Sequence, residues 1–384
     1  MLDGVYQNPT IFYFGRDSEL NIVHGLSGKK VLLHYGVSSI IASGLYEKIV
    51  KILNNASISF VELGGVEANP KSDLVHKGIE IAKQHGIDFI LAVGGGSVID
   101  SAKAIAVGAR FDGDFFDLFL GKAKPQDALE FGVVLTNAGA GSETSDTSVI
   151  THKELATKKA FSSPLMRAKF AVLNPENTVD VPIHTTMCGI VDSISHVFER
   201  YFSNTEFVDC SDRLAEGLMQ TLMKYALLIK DDPKNYDYRA EIMWACKMAT
   251  DQLVYFGRKQ EWTCHYIAHE IGAICDKPHG EILGVIFPAW MRYVCSENEH
   301  LFLQFSKRVF NVDSIDDGIR EFQAFLIRIG MPTSLEQIDF TNKSDFEKIA
   351  SNLAKVNPSG TIGNFKRLTK SDLINILNNK VLGA

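Results

Sequence analysis

An α/β domain built on a parallel sheet, followed by an all-helical domain, is the fold class the sequence predicts. Three observations carry it. Short β-rich runs alternate with helical stretches before Pro182, strand signals stop after it, and two glycine-rich segments follow directly on strands in the first half. Strand and helix alternating at this spacing implies a parallel sheet with covering helices. The division falls at residues 1–182 and 183–384.

The elements follow in order. Lys30–His34 reads as a strand, Ile40–Leu53 as a helix, and Ile58–Glu62 as a second strand. Leu74–Gln84 has the periodicity of an amphipathic helix, and Asp88–Val93 reads as a buried strand because Phe89–Val93 is a continuous apolar run. Phe131–Leu135, Thr147–Ile150 and Lys169–Leu173 are further strands. Beyond Pro182, four stretches repeat their apolar residues at helical spacing: Ile183–Phe202, Asp209–Leu228, Tyr238–Phe256 and Asp316–Ile329. Pro182, Pro288 and Pro332 read as punctuation between helices.

Composition narrows the function. Of the 384 residues, 46% are hydrophobic, ample for two buried cores, and the net charge of −7 argues against nucleic acid. Apolar runs are too short to span a bilayer, and the N-terminal residues lack the basic and apolar regions of an export signal. The six cysteines show no CxxC pairing, so they are expected as reduced thiols in a cytoplasmic protein.

The chemistry concentrates in the second half. Asp192 and His196 stand four apart in an apolar helix, which puts a carboxylate and an imidazole on one face. His265 and His269 repeat that spacing, and His279 follows in a Pro-His-Gly bend. Three of only eleven histidines therefore fall within one fifteen-residue window. Imidazoles converging with a carboxylate suit a divalent transition ion. Any one of these histidines alone would read as packing.

A second signal is Gly94-Gly95-Gly96-Ser97, at the end of a strand and the start of a helix. Glycines let a ligand approach the backbone, and free N–H groups at a helix start favour phosphate. The same segment predicts a capping box, with Ser97 as N-cap and Asp100 closing it. A third segment, Thr136-Asn137-Ala-Gly139-Ala-Gly141-Ser142-Glu143, offers small residues, hydroxyls and an amide. In α/β sheets ligands sit beyond the carboxyl ends of the strands, so the two loops imply one crevice.

Together these motifs resemble the iron-containing (group III) alcohol dehydrogenase family. The residues that carry the likeness are Gly94-Gly-Gly-Ser97-x-x-Asp100-x-x-Lys103, the Asn137–Glu143 stretch, Asp192-x-x-x-His196, His265-x-x-x-His269 and Pro278-His279-Gly280. Ile286–Met291 and Gly330–Thr333 are similar to the butanol dehydrogenase and NADPH-dependent aldehyde reductase branch, and the likeness runs nearly the whole chain. It implies a Rossmann-like nucleotide-binding domain and a helical metal domain, the dehydroquinate synthase-like architecture.

The resemblance also implies roles. Asp192, His196, His265 and His279 become ligands of ferrous iron or zinc, and His269 stays in the pocket as a candidate proton relay. The cofactor set becomes Gly36, Ser38, Ser39, Asn69, Gly94, Gly95, Gly96, Ser97, Asp100, Thr136, Asn137, Ser142 and Lys158. NAD-preferring relatives place an acidic residue after the strand ending near Gly36; this chain has glycine and serines, with Lys158 near, so NADP(H) is expected over NAD(H). Hydride would pass between the nicotinamide and short-chain aldehydes or primary alcohols in a homodimeric enzyme. Val37 stands where a glycine is frequent, Ala68 where a proline is common, and Asn174 where an aspartate is usual. A dehydroquinate synthase-like lyase or a glycerol-type polyol dehydrogenase is the alternative; the lyase is disfavoured by the apolar helices around Asp192 and His265.

Overall fold

Every strand found among the described residues lies between Ile11 and Leu173, and only helices and turns follow apart from one isolated bridge between Ile362 and Leu368. The computed structural model describes residues 1–155 and 157–378. Six strands form one parallel sheet: β1 (Ile11–Phe14), β2 (Val31–Gly36), β3 (Phe60–Val66), β4 (Phe89–Gly94), β5 (Glu130–Leu135) and β8 (Phe170–Leu173). Their order across the sheet is β1-β8-β5-β4-β2-β3. The remaining pair, β6 (Thr147–His152) and β7 (Thr157–Ser162), is a separate antiparallel hairpin.

The central strands explain their own burial. β4 is buried at all six positions because strands flank it on both edges and helices cover both faces. Val31 pairs with Phe89, and Phe89 with Glu130, which aligns the carboxyl ends of β2, β4 and β5. From β2 the chain moves outward to β3 and then returns to the other side of β2 as β4. That reversal makes a topological switch point at the ends of β2 and β4, the ligand position in open α/β sheets.

Several sequence expectations need correction. The helix expected over Ile40–Leu53 is two, Ser39–Ala42 and Leu45–Asn55, because Gly44 takes a left-handed φ of 76° between them. Pro288 does not end a helix; it lies inside His279–Val294. Strand β1 and helices such as Lys343–Ala354 carry little signal in the sequence, being short or weakly apolar.

Contacts divide the chain into two units that depart from chain order. The α/β unit is Gln7–Val181 together with Lys234–Lys247. That second piece belongs there because Trp244 meets Phe14 edge-on at 5.6 Å and the Lys247 ammonium lies 4.3 Å from the Phe12 ring centroid. The helical unit comprises Met1–Tyr6, Pro182–Pro233 and the residues from Met248 onward. Its centre is aromatic: Phe198 packs against Phe287, Phe305 and Phe322 within 5.6 Å. None of its described helices is long and apolar enough to cross a membrane.

Candidate metal centre and nucleotide cradle

Three helices of the helical unit bring the predicted ligands together. Helix Ile183–Tyr201 carries Asp192 and His196, helix Thr263–Cys275 carries His265 and His269, and His279 is the first residue of helix His279–Val294. Ligand atoms of Asp192, His265 and His279 all lie within 4.8 Å of one another. His196 stands beside this trio, its ring centroid 4.6 Å from that of His265. His269 stacks on His279 at 5.1 Å and stays outside the trio.

Local bonding sets which nitrogen of each ring is offered. His196 Nδ1 donates to the Asp192 carbonyl one turn back at 2.9 Å, which leaves Nε2 as the lone pair of the neutral ring. His265 Nδ1 donates to the Glu199 carboxylate at 2.8 Å, with the same consequence. Glu199 is fully buried and also accepts the backbone N–H of Trp262 at 2.6 Å and of His265 at 3.0 Å. One carboxylate thus fixes both the start of the helix and the ring upon it. Arg200, buried beside it, donates to the His196 and Ala249 carbonyls.

Two polar atoms are left over. Asp192 Oδ1 and His265 Nε2 are buried, lie 3.8 Å apart, and take part in no hydrogen bond; His196 Nδ1, 3.2 Å from Oδ1, gives its hydrogen to the Asp192 carbonyl instead. Buried polar atoms are satisfied in the great majority of cases, and each orphan costs about 1–3 kcal/mol. A divalent ion would satisfy both at once, and one carboxylate with imidazoles is a donor set that iron and zinc accept. The residues therefore fit a metal. Burial alone would raise the Asp192 carboxyl, but His196, His265 and His279 around it hold it well below the usual carboxylate range.

The α/β unit holds the second candidate site at the switch point. A Cβ on Gly94 would come 2.4 Å from Val98 Cγ2, so the β4 end admits only glycine. Gly95 faces the Asn137 side chain and Gly96 faces Ala140, which puts the two glycine-rich loops against each other. Gly36, at the end of β2, lies over Val98 in the same corner. Ser38 and Ser39 are exposed beside it. Lys158 on β7 donates to Asn69 at 2.8 Å, in the turn that follows β3.

The capping box does not form. The helix begins at Gly96 with Gly95 as its N-cap, so Ser97 lies within the first turn and Asp100 is drawn elsewhere. The Asp100 carboxylate accepts from Ser142 Oγ at 2.6 Å and from the Val149 N–H at 3.0 Å. Lys103, fully buried, donates to the Ser142 and Thr147 carbonyls and to the Ser145 hydroxyl. Burial lowers its ammonium to about 8 against the pull of Asp100. Asp100, Lys103 and Ser142 form a strut that shapes the Thr136–Glu143 loop, while Thr136 and Asn137 stay partly exposed at its mouth.

Sheet and cluster together define a class: an α/β unit with glycine-rich strand ends, joined in one chain to a helical unit with a divalent-metal donor set. Comparisons carry this further. Residues 9–175 match the iron-containing alcohol dehydrogenase family, and residues 186–381 match the C-terminal domain of the Fe-containing alcohol dehydrogenase family. A probable NADH-dependent butanol dehydrogenase 1 of Bacillus subtilis is 41% identical, over 98% of this chain and 99% of the relative. The NADPH-dependent aldehyde reductase YqhD of Escherichia coli is 30% identical over 88% of this chain and 89% of its own. The crystal structure of an NADH-dependent butanol dehydrogenase A from Thermotoga maritima superposes with a TM-score of 0.94, at 34% identity and 99% coverage of both chains. The chain belongs to the iron-containing alcohol dehydrogenase family.

Proposed function

We propose that this enzyme transfers hydride between NAD(P)H and short-chain aldehydes or primary alcohols, with Asp192, His196, His265 and His279 holding ferrous iron or zinc. The single observation behind the ligand set is the pair of buried, unpartnered atoms, Asp192 Oδ1 and His265 Nε2, with His279 beside them. When bound, the ion supplies Lewis acidity to a substrate oxygen, and the nicotinamide supplies the hydride. Glu199 holds the His265 ring with its lone pair turned to the cluster. His269, stacked on His279, is the candidate to pass a proton to the product oxygen. Gly94 to Ser97 receive the cofactor phosphates, with Thr136 and Asn137 at the nicotinamide side and Gly36, Ser38, Ser39, Asn69 and Lys158 at the adenosine ribose. In this reading residues 1–182 bind cofactor, residues 183–384 bind metal and substrate, and the enzyme works as a cytoplasmic homodimer.

Lyase and polyol alternatives are not favoured, since relatives matching nearly full length are named butanol dehydrogenases. Cofactor preference has support on both sides. Gly36 and the serines beside it present no carboxylate to a 2′-phosphate, and Lys158 stands near, which supports NADP(H). The butanol dehydrogenases of Bacillus subtilis and Clostridium acetobutylicum carry NADH in their names, which supports the other reading. Absorbance of NADPH and NADH, followed with butanal before and after chelator treatment, tests both points. Chelator-sensitive oxidation is expected, with kcat/KM favouring NADPH roughly ten- to a hundredfold and reversed by Gly36→Asp. No turnover of either nucleotide with butanal, in protein of full metal content, would contradict the activity.

A further inference from the structure

Helix Ile183–Tyr201 carries more ligand-type residues than the candidate metal centre uses. His184, Cys188, Asp192 and His196 recur every four residues, so all four lie along one face. Asp192 and His196 belong to the centre already described. The other two meet Glu281, on helix His279–Val294. His184 Nε2 lies 2.7 Å from Glu281 Oε1 and 3.7 Å from Cys188 Sγ, and all three donor atoms fall within 4.8 Å of one another.

These separations can be compared with what an ion requires. Zinc bonds of about 2.0–2.3 Å to nitrogen, oxygen and sulfur put tetrahedral donors roughly 3.3–3.7 Å apart. The nitrogen–sulfur separation is already there, and the nitrogen–oxygen pair has to open by roughly half an ångström. The backbone is set for this contact. A Cβ on Gly280 would sit 2.2 Å from the Cys188 carbonyl oxygen, so only glycine lets the two helices approach this closely. The next residue, Glu281, is thereby delivered onto Cys188. His184 is exposed, which leaves a route for an ion and a position for water.

We propose that His184, Cys188 and Glu281 form a second divalent-cation site, suited to zinc. One thiolate, one imidazole and one carboxylate favour zinc over the oxygen-seeking magnesium and calcium. Binding releases the Cys188 thiol proton to solvent, the ring proton of neutral His184 sits on Nδ1 once Nε2 takes the ion, and three metal–ligand bonds form. Asp192 lies one helical turn from Cys188, about 6 Å along the axis. An ion here clamps the start of the Asp192 helix to the His279 helix. The site rests on its own three residues and stands whether or not the assignment at Asp192 holds.

Cobalt and zinc titrations of the purified, metal-containing enzyme test it. In the unsubstituted protein cobalt is expected to give a thiolate-to-cobalt absorption band in the near ultraviolet, and zinc to bind one equivalent more than in Cys188→Ser. His184→Ala and Glu281→Gln should weaken that zinc at least tenfold. His265→Ala, which disrupts the neighbouring centre, should keep the band. Circular dichroism checks that Cys188→Ser, close in size to the original, remains folded. No band in the unsubstituted protein, equal zinc content in folded Cys188→Ser, or a band surviving that substitution would overturn the proposal.

Discussion

Two buried histidines, one in each unit, separate packing from function. His34 on β2 is fully buried and uses both ring nitrogens: Nδ1 donates to the Leu63 carbonyl at 2.8 Å, and Nε2 accepts from Ser101 Oγ at 2.9 Å. His265 is almost as buried, yet only Nδ1 is engaged, and Nε2 faces an equally unpartnered carboxylate oxygen. Their proton affinities shift in opposite directions. Burial pushes the His34 imidazole down to about 4, whereas at His265 burial is outweighed by Asp192 and Glu199, which raise it. A satisfied buried imidazole belongs to the core. One whose second nitrogen meets only an unpartnered carboxylate oxygen has capacity left for a ligand.

The sharpest way to break this contrast is to remove the rings. His265→Ala or His279→Ala should strip the ion and lower activity by at least about a thousandfold, near the contribution of a whole catalytic group. His269→Ala should keep its metal and lose rate only. Metal analysis of the three proteins decides, and equal metal loss in His269→Ala and His279→Ala would remove His279 from the ligand set.

A smaller effect is expected one step out. Glu199→Gln keeps the shape but weakens the hold on His265 Nδ1, and should reduce metal affinity roughly ten- to a hundredfold. Chelator competition measures it. Unchanged affinity in Glu199→Gln would make Glu199 a helix-start residue only.

Sequence reading reached the clustered side chains because four-residue spacing on a helix survives folding as shared direction, so Asp192 with His196 and His265 beside His269 could be read directly. It missed Glu199, although an acidic residue seven positions after Asp192 in an apolar helix was the available signal. Its role depends on the start of the helix at Thr263 arriving from sixty residues away, which local pattern cannot show. The capping box failed for a related reason. Ser97 and Asp100 had the local spacing, but Ser142 and Val149, brought in by the sheet, offered Asp100 better partners. Strand positions were legible where apolar runs were continuous, as in β4. Pro288 was misread because a proline inside a helix is tolerated when packing on both sides compensates the lost hydrogen bond.

The test farthest from the site concerns His34. Its folded-state value lies near 4 and its unfolded value near 6.5, so between those pH values the unfolded chain takes up a proton that the folded chain refuses. Stability is therefore lost as pH falls through that window, by about 3 kcal/mol for the full shift. His34→Gln should flatten that part of a denaturant-midpoint profile against pH. A profile equally steep in His34→Gln would mean that other groups carry the acid sensitivity.

The central claim is that the unpartnered atoms of Asp192 and His265 are metal ligands. Anomalous diffraction from crystals of the purified enzyme, collected on either side of the iron and zinc edges, tests it most directly. The expected result is a single strong peak enclosed by Asp192, His196, His265 and His279, with His269 outside bonding distance. A map with no peak among those four residues, from protein that oxidises NAD(P)H with butanal, would contradict it.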